Sequence, residues 1–331
     1  MLALSKRSQG DTEMKDDNKN YLEYVKETCL DCSLCTQNCD FLTKYGLDLA
    51  DFATRDDLAY SCFLCGRCYE VCPVDLDGRE ISLIHRKNEG FGMMKFEKSL
   101  YKFRNNSNKE TKDLLWLGCA FPRAFPETTK KMIEIFREDG CDYSIDCCGK
   151  PVFESGDKDR AQNNIDHIKM LLLKKKVKRV VTCCPNCYHF FKDYTDINVI
   201  TIYEKLHELG VGKVLEDEFH IYHPCPDKVH KEMFKDLKYF MPNTKSDYKD
   251  VLCCGLGGLA SRDEPEIAKA FLDRLKNYDS MVTTYCASCS IQFTKNGIAN
   301  QHALTMILGT YEKVVPTSLA RLIKMKFYGG R

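Results

Sequence analysis

A mainly helical N-terminal domain followed by two duplicated α/β units, an α+β multidomain chain, is the architecture this sequence predicts. Three observations carry it. Apolar residues recur at helical spacing between positions 41 and 58, strand and helix signatures alternate from about residue 108, and that same order returns in the last third of the chain. With 331 residues and 44% hydrophobic content, the chain can bury more than one core.

Residues 1–20 are charged and lack apolar periodicity, so they are expected to form a disordered, solvated tail. Residues 21–107 carry eight cysteines in two tight runs, between which Phe41, Leu42, Tyr45, Leu49, Phe52 and Leu58 can line one side of short helices. The stretch MKFEKSLYKFRNNSNKETKD ends in a cluster of Asn, Ser and Lys that suits a linker. Beyond it come a strand (LLWLG), a helix (PETTKKMIEIFRED), a short strand, a second helix (DKDRAQNNIDHIKMLLLKK), a strand (KRVVTCC) and a helix from Pro185. Such alternation predicts a Rossmann-like parallel sheet covered by helices. HIYHPC then answers LWLGC, CCGLGG answers CCGKPV, and SMVTTYCASCSIQF answers KRVVTCCPNCYHFF, giving units at 108–212 and 213–331.

Lys plus Arg number 49 against 48 for Asp plus Glu, a net charge of +1, so composition makes no case for nucleic acid or an anionic membrane as partner. No stretch reaches the roughly 18–20 apolar residues of a membrane span, and the first twenty residues turn polar too early for a signal peptide. A cytoplasmic location is therefore expected, peripheral to a membrane only through a partner subunit. Twenty cysteines in a reducing compartment point to metal or redox chemistry and away from a disulfide framework.

Cys29, Cys32, Cys35 and Cys39 form C-x2-C-x2-C-x3-C, and Cys62, Cys65, Cys68 and Cys72 repeat it, with Pro73 after the second run and Asp40 where a proline often follows the first. This is the spacing of a two-cluster ferredoxin domain, in which three cysteines wrap one 4Fe-4S cubane and the fourth crosses to the other. One cubane would take Cys29, Cys32, Cys35 and Cys72, the other Cys62, Cys65, Cys68 and Cys39. Two structural zinc sites are the weaker alternative, since zinc needs four thiolates and not this run twice. Complete ligation implies electron relay without substrate chemistry.

Each later unit holds five cysteines in one order: Cys119, Cys147, Cys148, Cys184 and Cys187, then Cys225, Cys253, Cys254, Cys286 and Cys289. In both, 27 residues separate the lone cysteine from the pair. Each set is expected at or just after a strand end, where open parallel sheets bind ligands. Gly149 and Gly255 follow the double cysteines and would let backbone approach a bulky cofactor. Five thiolates exceed the four that a closed cubane uses, so an ordinary closed cluster does not account for the pattern, whereas an unusual cluster, or one with a spare thiolate, does.

This C, CCG and CxxC signature, present twice, resembles the CCG-domain family, which includes heterodisulfide reductase catalytic subunits and the iron-sulfur subunits of glycerol-3-phosphate, glycolate and lactate dehydrogenases. Fused to a two-cluster helical domain, it looks most like the catalytic subunit of the membrane-associated heterodisulfide reductases. The resemblance implies two noncubane 4Fe-4S clusters facing one another, each held by one five-cysteine set. It further implies reduction of a small disulfide, the mixed disulfide of coenzyme M and coenzyme B, with electrons from a flavoprotein or membrane-cytochrome subunit. A relay subunit passing electrons from a flavin-dependent dehydrogenase to quinone is the alternative, and a redox sensor a third reading. Cys183 and Cys141 fall outside the repeat and read as core thiols. The basic run Lys174 to Arg179 reads as helix-end charge. His189, His220 and His223 are candidate proton donors, His223 first because it lies two residues before Cys225. GLGGL from Gly255 lacks the dinucleotide spacing.

Overall fold

The structure, a computed structural model, describes residues 11–87, 91–99, 109–316 and 318–328. Its N-terminal part is a set of short helices separated by cysteine loops: Asp11–Thr28, Leu34–Gln37, Asp40–Tyr45, Leu49–Phe52, Arg67–Val71, Gly78–His85 and Gly92–Ser99, with a 3-10 turn at Asp56–Ser61. Phe41, Leu42, Leu49, Phe52 and Leu58 are buried as the spacing predicts, whereas Tyr45 stays at the surface. Asp48 starts the helix Leu49–Phe52 by accepting from the Asp51 N–H while Asp51 reciprocates, a capping box that fixes the loop beside Cys29.

The first helix begins inside the stretch expected to be a tail. Val25 is fully buried, with Tyr21 and Leu22 packed on the same core. Once that turn is anchored, the helix can extend backwards to Asp11 at little further cost per residue. Residues 1–10 of that tail lie outside the described residues. The expected linker opens with the helix Gly92–Ser99, and its Asn-rich part, 100–108, also lies outside them.

Two four-stranded parallel sheets follow. The first contains β1 (Asp113–Trp116), β2 (Asp142–Ser144), β3 (Arg179–Thr182) and β4 (Val199–Thr201), in the order β2-β1-β3-β4. The second contains β5 (Phe219–Tyr222), β6 (Thr244–Lys245), β7 (Val282–Thr284) and β8 (Asn300–His302), in the matching order β6-β5-β7-β8. Leu115 pairs with Val181 in one sheet as Ile221 pairs with Thr283 in the other. Crossover helices such as Pro126–Glu138, Lys158–Lys174 and Pro265–Lys276 cover the faces, and proline at the first helical position of two of them needs no N–H there.

The cores cross these boundaries. One cluster joins Tyr203 and Leu206 of the first unit to Phe234, Tyr285 and Leu304 of the second, and another joins Phe41, Phe52 and Phe63 of the helical part to Phe271 and Phe293. The last helix, Leu319–Lys326, leaves the second unit and returns to the first, where Lys326 pairs with Asp146 at 3.0 Å and Tyr143 donates to the Tyr328 carbonyl at 3.0 Å. No described helix is long and apolar enough to cross a membrane.

Candidate metal centres

Each front set is assembled from both cysteine runs. Cys29, Cys32 and Cys35 line one small pocket together with Cys72, which the helix Arg67–Val71 delivers at its C-terminal end. Conversely, Cys39 comes close to the second run. Burial raises its thiol, and the charges of Cys65 and Cys62 raise it further. Burial likewise lifts Cys68 well above the usual thiol range, with Cys39, Cys62 and Cys65 all adding to it. Backbone N–H groups point at the sulfurs, Leu64 to Cys62 Sγ at 3.4 Å and Leu76 to Cys72 Sγ at 3.3 Å. Two four-sulfur donor sets with N–H groups aimed at them fit iron-sulfide cores, whose potentials such bonds tune.

In the two sheets the strand ends deliver the sulfurs. Cys119 follows β1, Cys147 and Cys148 follow β2, and Cys184 sits at the start of the helix Pro185–Tyr194 just beyond β3. Their sulfurs form a chain of hydrogen-bonding neighbours that runs Cys119, Cys147, Cys148, Cys187, Cys184. The second sheet repeats it as Cys225, Cys253, Cys254, Cys289, Cys286. The central member of each chain lies below the ordinary thiol value. Burial opposes ionisation of Cys148, but hydrogen bonds from Cys147 and Cys187 bring it down to about 5, while those from Cys253 and Cys289 bring Cys254 to about 6. Nine of the ten cysteines line a single cavity of about 890 Å³ between the sheets. The tenth, Cys253, is turned to the front domain, near Cys65.

Both sheets match the cysteine-rich CCG domain, over residues 114–192 and 221–294. The chain thus carries two CCG cysteine-rich domains, one in each sheet-bearing unit. An uncharacterised iron-sulfur protein of Methanocaldococcus jannaschii is 26% identical over 81% of this chain and 68% of its own. A second, from Methanococcus maripaludis, is 26% identical over 75% of this chain and 62% of its own. One of the subunits of the fumarate reductase (CoM/CoB) of Methanothermobacter marburgensis is 21% identical over 80% of this chain and 66% of its own. The chain thus spans about two thirds of the length of the curated relatives it matches.

Within the CCG units, Gly149 and Gly255 serve the sulfurs in a way the sequence did not indicate. Both take a left-handed backbone, at φ 101° and 87°, that aims their N–H groups at Cys147 Sγ (3.5 Å) and Cys253 Sγ (3.3 Å). The room-making role falls elsewhere: a Cβ on Gly257 would stand 2.9 Å from Cys253 Sγ, and one on Gly78 2.9 Å from Cys68 Sγ.

The candidate proton donors separate. His189 lines the cavity and faces buried Asp227 at 2.9 Å. His223 lies behind it, held between the Tyr285 hydroxyl (3.1 Å) and Ser246 Oγ (2.7 Å), and burial lowers it to about 4, so it is neutral near pH 7. His220 pairs with Asp247 at a partly exposed strand position. Cys183 donates to the Leu117 carbonyl at 3.4 Å and Cys141 to Asp139 at 3.1 Å, both outside the sulfur chains. In the basic run, Lys175 pairs with Asp142 and Arg179 with Asp113. Spacing alone could not bring out the cavity's cations, Arg79, Lys98, Arg123, Lys150 and Lys295, which come from five separate helices; Lys98 Nζ stands 3.8 Å from Cys119 Sγ.

Proposed function

We propose that the chain is the disulfide-reducing subunit of an iron-sulfur oxidoreductase, taking electrons through two front cubanes to two clusters in the CCG cavity. The observation that carries this reading is one cavity, between the sheets, lined by nine of the ten cysteines of the two five-cysteine sets. A set of five sulfurs on each side suits a cluster that still has iron coordination to offer a substrate sulfur. The cubanes would be held by Cys29, Cys32, Cys35 and Cys72 and by Cys39, Cys62, Cys65 and Cys68. The cavity clusters would be held by the five cysteines of each CCG unit. When bound, such clusters supply electrons singly, so a facing pair can deliver the two that a disulfide needs.

The overall change is one S–S bond broken, two electrons and two protons taken up, and two thiols released. Around it the chain's own residues bind and orient. Lys98, beside Cys119 on the cavity wall, offers a cation that would favour a departing thiolate. His189, fixed by Asp227, holds an imidazole on the wall between the units. The name of the Methanothermobacter relative pairs CoM with CoB, which makes their mixed disulfide the first substrate to try. A flavoprotein or membrane-cytochrome subunit would supply the electrons.

The test is anaerobic purification with iron and labile-sulfide analysis, electron paramagnetic resonance with and without the disulfide, and turnover with reduced viologen as donor. About 16 irons per chain, a signal that appears only with disulfide, and steady turnover are expected. About 8 irons and no disulfide-dependent signal would overturn the reading and leave the chain an electron relay.

A further inference from the structure

Four cationic side chains are buried among the described residues, and three of them meet carboxylates. Lys95 pairs with Asp157 at 3.0 Å, Lys175 with Asp142 at 3.0 Å, and Lys205 with Asp113 at 2.9 Å and Asp139 at 2.8 Å. Arg86 is the exception. It is only 3% exposed, yet its guanidinium donates to three carbonyls: Ala59 at 3.2 Å, Glu154 at 2.8 Å and Cys62 at 3.0 Å. Its remaining face covers the Tyr60 ring at 4.8 Å. A guanidinium stays charged even when buried, so this positive charge needs an anion nearby. Of the groups whose negative charge acts on it, the Cys62 sulfur comes first, ahead of Glu154 and Asp263, and Arg86 in turn favours Cys62 ionisation more than any other side chain does. A cubane held by four thiolates carries net negative charge, and bound there it would supply that anion.

The other front set has the opposite surroundings. Asp48 Oδ2 stands 3.9 Å from Cys29 Sγ, and Asp31 lies beside the same sulfur. Cys32 is exposed, so water screens part of this charge. Near the inner set, Asp77 acts on Cys68 and Cys62, and Arg79 pairs with that carboxylate through contacts of 2.7 and 3.0 Å. Lys228 adds a further cation beside Cys65. The inner set also adjoins the second CCG unit, since Cys65 lies within electrostatic reach of Cys225 and Cys253.

We propose that Arg86 and Asp48 set a step in reduction potential between the two front cubanes, so that electrons fall from the outer, Cys29-containing site to the inner, Cys62-containing one. This rests on the assignment of those eight cysteines as cubane ligands. Gaining an electron adds negative charge, which a buried cation favours and a neighbouring carboxylate opposes. Arg86 is a positioning residue: it touches the loop that carries the ligand and no substrate.

The experiment is a redox titration of full-length, anaerobically reconstituted protein, followed by electron paramagnetic resonance, with iron and sulfide counted for every variant. Arg86→Gln is expected to lower the midpoint of one cubane signal and leave the other in place. Arg86→Lys, which keeps the charge, should stay near wild type. Asp48→Asn, which keeps a capping side chain, should raise the midpoint of the other cubane. Unmoved midpoints in iron-replete Arg86→Gln would overturn the proposal, as would an equal shift in Arg86→Lys. Should Arg86→Gln fail to hold the inner cluster, Asp48→Asn decides, and an unmoved outer midpoint overturns it. About 8 irons with the step intact would remove the disulfide reading and leave this one standing; front cysteines without iron would remove both.

Discussion

Asp227 binds the two CCG units at the level of single atoms. Fully buried, it faces His189 of the first unit at 2.9 Å and accepts from the Tyr285 hydroxyl at 2.8 Å and from the N–H groups of Met233 and Phe234 at 3.1 and 3.0 Å. Asp227→Ala strands these donors and is expected to cost about 3 kcal/mol in chemical denaturation, with Asp227→Asn losing part of that. Burial by itself would raise this carboxyl, but His189 and Tyr285 hold it below its ordinary value. Its contribution is therefore present above the usual carboxylate range and lost as pH falls through its lowered value. His302 acts in a higher window. Fully buried between Phe121 and Phe125, it is lowered by burial to about 3, and it caps a helix by accepting from the Leu304 N–H. Its stabilising share is complete above about pH 6.5 and is lost as pH falls from there towards 3. His302→Asn, which can keep the cap, should flatten the fall in stability between pH 7 and pH 5; equal slopes in the two proteins would show that another group governs it.

At the scale of elements, the CCG loop of the second unit is fitted against the front cysteine loop by glycines. A Cβ on Gly258 would lie 2.4 Å from the Cys62 carbonyl, and one on Gly257 2.4 Å from the Phe63 carbonyl. Backbone cannot give way as a flexible side chain can, so Gly258→Ala should push the two loops apart, at about 1–3 kcal/mol, and, with clusters held as proposed, slow electron passage from the front sites to the cavity in stopped-flow reduction. Gly92→Ala, with nothing within 4 Å, is the control. The strands that lead into the cysteines and the first unit's crossover helices were legible because apolar runs ending in cysteine, and prolines at 126 and 185, mark element ends by local chemistry, whereas β4, β6 and β8, short and without a cysteine, carry no such mark. Spacing, again a local pattern, groups Cys72 with the first run, and Cys72 lines one pocket with Cys29, Cys32 and Cys35. Other features have no local signal. Cys253 lies eight residues beyond the two-residue β6, because the first unit's β2 has only a short counterpart here. Arg86 and Lys98 gain their meaning from packing against distant loops, and the helix from Asp11 depends on Val25 being anchored.

Across the whole molecule the front domain and the second CCG unit share one hydrophobic core, and ion pairs fasten its edge. Glu264, with no side-chain exposure, accepts from Lys44 Nζ at 2.7 Å and from the Tyr45 hydroxyl at 2.8 Å, while Arg274 holds Asp40. Lys44 is 42% exposed at its side chain, and this asymmetry decides what each substitution does. Glu264→Gln leaves Lys44 free to turn into water and Tyr45 still facing a hydrogen-bond acceptor, a loss of about 1 kcal/mol. Lys44→Met leaves the buried Glu264 carboxylate with the tyrosine as its remaining side-chain partner, and should cost more than Glu264→Gln. Because the shared core must open when this edge opens, the larger loss should appear as a lower midpoint of one cooperative transition, followed together by cluster absorbance and far-ultraviolet circular dichroism. Equal costs for the two variants would mean that water already reaches Glu264. A separate early loss of cluster absorbance in Lys44→Met would mean that the front domain unfolds on its own, and that the common core does not couple it to the cavity.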